Sequence, residues 1–113
     1  MKVLIVDDSL EFGEICAEAL KSQNIEAVTI EKNNKALLKA LNDSSFDAVI
    51  IDLMLLSEEI ISEIKSYNAK IIAVSVYDSP YVERNTVESG VDFYLLLPCS
   101  LDELVEIVKQ VGR

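Results

Sequence analysis

The chain has 113 residues, enough for one domain and for a core that needs no covalent staples. Half of them are hydrophobic, which argues against disorder, and ten basic residues against twenty acidic ones give a formal charge of -10, a surface that repels nucleic acid and anionic membrane. With no histidine and only two cysteines, neither in a paired motif, a Cys/His zinc site and a Ser-His or Cys-His catalytic pair lack their residues.

The acidity favours cations and basic partner patches, although for most of these charges solubility is explanation enough. Cys16 and Cys99 fall in apolar segments and read as small core residues in a reducing compartment. The N-terminus runs directly into a strand and acids, without a signal peptide. The longest apolar run, AVIIDLMLL, is too short to span a bilayer and is cut by Asp52. A cytoplasmic protein is expected.

Two kinds of segment alternate along the chain. KVLIV (Lys2 to Val6) is a short apolar strand ending in Asp7 and Asp8. In SLEFGEICAEALKSQ, Phe12, Ile15, Cys16, Ala19 and Leu20 recur at helical spacing behind an N-cap at Ser9. IEAVTI (Ile25 to Ile30) alternates as an edge strand does. NKALLKALND is a second helix with Leu37, Ala40 and Leu41 on its apolar face.

DAVIIDL (Asp47 to Leu53) is a third, buried strand. SEEIISEIKSY is a short third helix with acids in its first turn, where the helix dipole favours them. KIIAVS (Lys70 to Ser75) is a fourth strand. SPYVERNTVESG is a fourth helix with Ser79 at the N-cap, Pro80 at the first position and Gly90 as the stop. DFYLLL is the fifth strand, and SLDE opens the last helix with a capping box of Ser100 and Glu103. Leu104, Val105, Val108 and Val111 form its buried stripe.

Five strands alternating with five helices imply right-handed crossovers and a parallel sheet covered on both faces. The expected fold is α/β, a single (βα)5 domain over residues 1–113, with no room left for a DNA-binding module. Its common strand order is 2-1-3-4-5. In such a sheet ligands bind beyond the carboxyl ends of the strands, where the order reverses between strands 1 and 3. Asp7, Asp8, Asp52 and the hydroxyl of Ser75 fall at those ends.

Three carboxylates gathered in one crevice repel each other unless a cation joins them. Oxygen ligands without nitrogen or sulfur suit a hard ion such as Mg²⁺. The competing reading is that Asp7 and Asp8 merely start a turn or cap the first helix. Against it stands Asp52, deep in an apolar run, whose burial is costly without a charge partner.

The pieces VLIVDDS, DAVIIDL, IIAVS and GVDFYLLLP, together with the alternation, resemble the receiver domain of two-component response regulators, the CheY-like superfamily of flavodoxin-like fold, along the whole chain. The resemblance implies that Asp52 accepts a phosphoryl group from a histidine kinase or phosphotransfer protein. It implies Mg²⁺ on Asp8, Asp52 and the backbone carbonyl of Met54, with Asp7 reaching it directly or through water. Ser75 would hydrogen-bond the phosphoryl group, and Tyr94 would be the switch aromatic, although as residues Ser75 also reads as a strand end and Tyr94 as a core or rim aromatic. Output would pass to a protein partner through the face of the fourth helix, fifth strand and fifth helix, where Tyr77, Tyr81, Val82 and Tyr94 are candidates.

The chain departs from the family's pattern in three places. Leu97 stands where the family has a lysine immediately before the proline. The turn after Asp52, LMLLSEEII, lacks the usual Pro and Gly. The segment from Asp52 to Ser75 is short, so the third helix is expected to be trimmed. A leucine supplies neither charge nor hydrogen bond to a phosphoryl group, which leaves the site open, filled by water, or served by another cation such as Lys65 or Arg84.

The first functional expectation is therefore a phosphoacceptor receiver, acting as a regulator and not an enzyme. The alternative is a pseudo-receiver that binds a partner without phosphorylation. A small Mg²⁺-dependent phosphohydrolase ranks third, because no aspartate stands two residues beyond Asp7, Asp8 or Asp52. An FMN binder is disfavoured, because the acids after the first strand would repel the FMN phosphate.

Overall fold

The computed structural model describes residues 1–7 and 9–112. The strands are β1 (Lys2–Asp7), β2 (Glu26–Glu31), β3 (Ala48–Asp52), β4 (Lys70–Ser75) and β5 (Phe93–Leu96). Between and after them come α1 (Leu10–Lys21), α2 (Asn34–Asp43), α3 (Glu58–Ser66), α4 (Pro80–Glu88) and α5 (Leu101–Val111). The strands pair in parallel in the order β2-β1-β3-β4-β5, as expected from the alternation.

The period-2 alternation of the strands sorts the core into two layers. Val3, Ile5, Ile50, Val74 and Leu95 face Cys16, Leu20, Leu104 and Val108 of α1 and α5. Leu4, Val6, Val49, Ile51 and Ile71 face Leu37, Leu41, Ile61 and Ile64 of α2 and α3. β1, β3 and β4 are thus buried on both faces, while β2 alternates at the edge.

Each α-helix opens on a side-chain cap. The oxygens of Ser9, Asn33, Ser57, Ser79 and Ser100 accept from the amides of Phe12, Ala36, Ile60, Val82 and Glu103. Such a cap stabilises its helix by about 1 kcal/mol. Ser9, Ser79 and Ser100 were legible as caps.

Three local expectations change. Ile15, read as core, is 44% exposed, while Gly13 and Ala17 are buried. α1 is turned so that Gly13 meets β2, where an added Cβ would lie 2.4 Å from Thr29 Cγ2. Leu53 leaves β3 for a 3-10 turn over Leu53–Leu55, because the Asp52 side chain accepts from the Met54 amide and bends the chain there. In α5 Ile107 joins the buried stripe, and Val111 only packs against its margin.

Candidate functional site

The strand order reverses between β1 and β3, and the carboxyl ends of these two strands carry Asp7 and Asp52. The β1–β3 register runs to Val6 opposite Ile51, so Asp7 and Asp52 are the next residues on neighbouring strands. Asp52 pairs with Val74 across β4, and Ser75 follows Val74. Register thus brings Asp7 and Asp52 side by side, with Ser75 one residue further along the next strand. Asp8, expected as a metal ligand, lies outside the described residues.

Asp7 is buried, and its Oδ1 accepts from the Ser9 amide at 2.8 Å. It does shape the turn into α1. This is compatible with a ligand role, because a carboxylate offers about four lone-pair sites.

Asp52 sits only partly buried, its side chain 27% exposed. The Met54 amide donates to Oδ1 at 2.8 Å. The Lys32 ammonium donates to Oδ2 at 3.3 Å, and the Lys32 side chain is 23% exposed. The charge partner that a carboxylate in this apolar strand requires is thus present, and it is a lysine that the sequence reading passed over. Its only signal in the sequence is its place, directly after the edge strand and directly before the Asn33 cap.

Of the two cations named as possible replacements, Lys65 is committed elsewhere. Lys65 pairs with Asp92 at 2.8 Å, at the start of β5 and hence at the opposite end of the sheet. Arg84 is exposed on α4. Leu97 is half-buried against the α1/α5 layer, and its amide donates to the Ser75 carbonyl at 2.7 Å.

Ser75 is buried, and its Oγ accepts from the Tyr77 amide at 2.9 Å. A hydroxyl that accepts still has a proton to donate. The Tyr94 hydroxyl donates to the Tyr77 carbonyl at 2.6 Å. Ser75 and Tyr94 are thus tied to opposite ends of one residue. Tyr94 is 8% exposed, so it is not available on the surface, in contrast to Tyr77 at 51% and Tyr81 at 69%. Val82 is half-buried.

The side-chain donors that the register gathers at the β1 and β3 ends, Asp7 and Asp52, are carboxylates. That chemistry fits a hard cation such as Mg²⁺. Met54 is 69% exposed, and its thioether is too soft a donor for such a cation.

Comparison with known proteins points one way. A family model described as "Response regulator receiver domain" matches residues 3–109. The "Nisin biosynthesis regulatory protein NisR" of Lactococcus lactis subsp. lactis is 32% identical over 96% of this chain and 48% of its own length. The "Swarming motility regulation protein RssB" of Serratia marcescens is 29% identical over 100% of this chain and 53% of its own length. The chain therefore spans about half the length of these curated relatives. A crystal structure of a response regulator from Thermotoga maritima superposes with a TM-score of 0.88 at 26% identity, covering 98% of this chain and 96% of that one.

Proposed function

The chain belongs to the response regulator receiver domain family of two-component systems, and on that premise we propose that it accepts a phosphoryl group on Asp52 with Mg²⁺ as cofactor. The observation that carries this reading is the position of Asp52. It stands at the carboxyl end of the central strand, beside buried Asp7, at the point where strand order reverses.

The proposed roles are these. Asp52 is the nucleophile toward phosphorus. Asp7, Asp8, Asp52 and the Met54 carbonyl hold the metal, which when bound neutralises charge on the phosphoryl oxygens. Ser75 donates its hydroxyl proton to the phosphoryl group. Because Tyr77 joins Ser75 to Tyr94, a shift of the Ser75 hydroxyl is felt by the Tyr94 ring. The donor is a histidine kinase or phosphotransfer protein. The output partner is a protein docking on α4, β5 and α5, where Tyr77 and Tyr81 are exposed.

In this reading residues 1–113 form one receiver domain. It is a cytoplasmic regulator, not an enzyme, and binds neither nucleic acid nor membrane directly. Among the described residues no helix is long and apolar enough to cross a membrane.

One observation favours a second reading. Leu97 is committed to the apolar layer instead of to the site, as befits a pseudo-receiver that binds its partner without phosphorylation. Incubation with acetyl phosphate and Mg²⁺, followed by intact mass, separates the two. A phosphoryl adduct that is lost in Asp52→Asn supports the first. No adduct, under conditions that modify an ordinary receiver, supports the second. Sustained turnover of a generic phosphate ester would instead revive the phosphohydrolase.

A further inference from the structure

We infer that Lys32 is the resident cation of the Asp52 site, doing from the β2 side what the family's lysine does from the end of β5. This rests on the reading of Asp52 as phosphoacceptor. The geometry is one of symmetry about the central strand. In the order β2-β1-β3-β4-β5, β3 has two strands on each side. The end of β2 and the end of β5 therefore each lie two strands from Asp52, on opposite flanks. Position 97, after β5, holds a leucine turned into the apolar layer. The position directly after β2 holds Lys32, whose ammonium crosses above β1 to Asp52 Oδ2.

The backbone at Lys32 is fixed on both sides. Glu31 before it is paired with Asp7, and Asn33 after it caps α2 through the Ala36 amide at 3.0 Å. The ammonium is thus delivered from a set point, in a row of carboxylates comprising Glu31, Asp7 and Asp52. A positive charge there has two opposed effects. On the resting chain it neutralises Asp52 and competes with a divalent cation. During transfer it offers a charge-assisted hydrogen bond to the phosphoryl oxygens. With acetyl phosphate as donor, the acyl oxygen–phosphorus bond breaks, acetate leaves with the electron pair, and a bond forms between an Asp52 oxygen and phosphorus.

The test uses the full chain as wild type, Lys32→Gln, Lys32→Arg and the double variant Lys32→Gln/Leu97→Lys. Mg²⁺ affinity is measured by calorimetry, and the rate of adduct formation with acetyl phosphate by intact mass. Lys32→Gln is expected to bind Mg²⁺ roughly two- to fivefold more tightly, the range that a partly exposed charge pair supports. It is expected to form the adduct about fivefold more slowly, since a charge-assisted bond to phosphoryl is lost. Lys32→Arg keeps the wild-type rate, and Leu97→Lys restores it in the double variant.

A purely structural lysine would not move these two quantities in opposite directions. An adduct on wild type that Lys32→Gln matches in rate, or a fall in Mg²⁺ affinity in Lys32→Gln, overturns the inference and leaves the phosphoacceptor standing. No adduct on any of the four chains removes both.

Discussion

The Tyr94 hydroxyl donates to the Tyr77 carbonyl at 2.6 Å, and the Tyr77 amide in turn donates to Ser75 Oγ at 2.9 Å. The ring of Tyr94 is thereby anchored below the segment that leads from β4 to α4, with its body in the sheet and its polar tip satisfied. Tyr94→Phe keeps the ring and removes the donor, which costs about 1 kcal/mol for a buried neutral hydrogen bond. Urea denaturation should show that loss, and hydrogen exchange of the Tyr77 amide should quicken. An unchanged exchange rate at Tyr77 would show that the phenol does not hold this segment.

Gly13 and Thr29 set the spacing of α1 on β2. A Cβ on Gly13 would meet Thr29 Cγ2 at 2.4 Å, and rotating Thr29 away would break its hydrogen bond to the Gly13 carbonyl at 3.3 Å. Gly13→Ala is therefore expected to destabilise by about 1–3 kcal/mol through overpacking, despite the better helix propensity of alanine. Thr29→Ser removes the methyl and keeps the hydroxyl. The double variant should recover most of the loss, a coupling that a double-mutant cycle on urea midpoints measures directly.

Asp92 clamps the start of β5 onto β4. Its amide donates to the Ile71 carbonyl at 2.9 Å, and its Oδ2 accepts from the Ile71 amide and from the Lys65 ammonium, each at 2.8 Å. Asp92→Ala leaves the Ile71 amide without that acceptor and should cost about 1–3 kcal/mol. Lys65→Ala removes only a pair whose lysine is 38% exposed, and should cost no more than about 1 kcal/mol. Equal losses in the two variants would mean that the ion pair, not the amide, is what Asp92 contributes.

Burial pushes the Cys16 thiol up from 9.0 to about 11, with the Cys99 and Asp7 charges adding to it. Cys99 is also raised, by burial first and by Glu103, but it is partly exposed. Iodoacetamide at pH 8 should therefore modify Cys99 well before Cys16. Above pH 9 the unfolded chain loses the Cys16 proton that the folded chain retains, so the unfolded state binds fewer protons. Stability from this group is complete below pH 9 and falls as pH rises toward about 11. Cys16→Ala should flatten that decline. A slope unchanged by the substitution would place the pH dependence elsewhere.

Much of this was readable before the structure. The apolar runs locate the strands, because a parallel strand covered on both faces has no solvent side to mark. Ser9, Ser79 and Ser100 mark helix starts because their oxygens satisfy amides that have no partner within the helix. The order reversal then gathers Asp7 and Asp52 without any side-chain information. What stayed hidden depends on distances across the sheet. Lys32 looks like any solvated loop lysine until β2 and β3 are known to flank β1. Lys65 looks suitable until Asp92 proves to lie at the far end of the strands. The exposure of Ile15 follows from how α1 is rotated by the Gly13 contact, which a helical period in the sequence leaves undetermined.

The sheet also has two open edges, and each resists strand addition in its own way. β5 has only four residues, too few to template a long partner. β2 is longer, but it begins with Glu26 and ends with Glu31, both exposed. A second copy laid along that edge would bring like charges together at each end, in a chain already carrying -10. The acids that frame β2 thus protect the fold from growing edge to edge into aggregates, a benefit separate from any part they have in signalling.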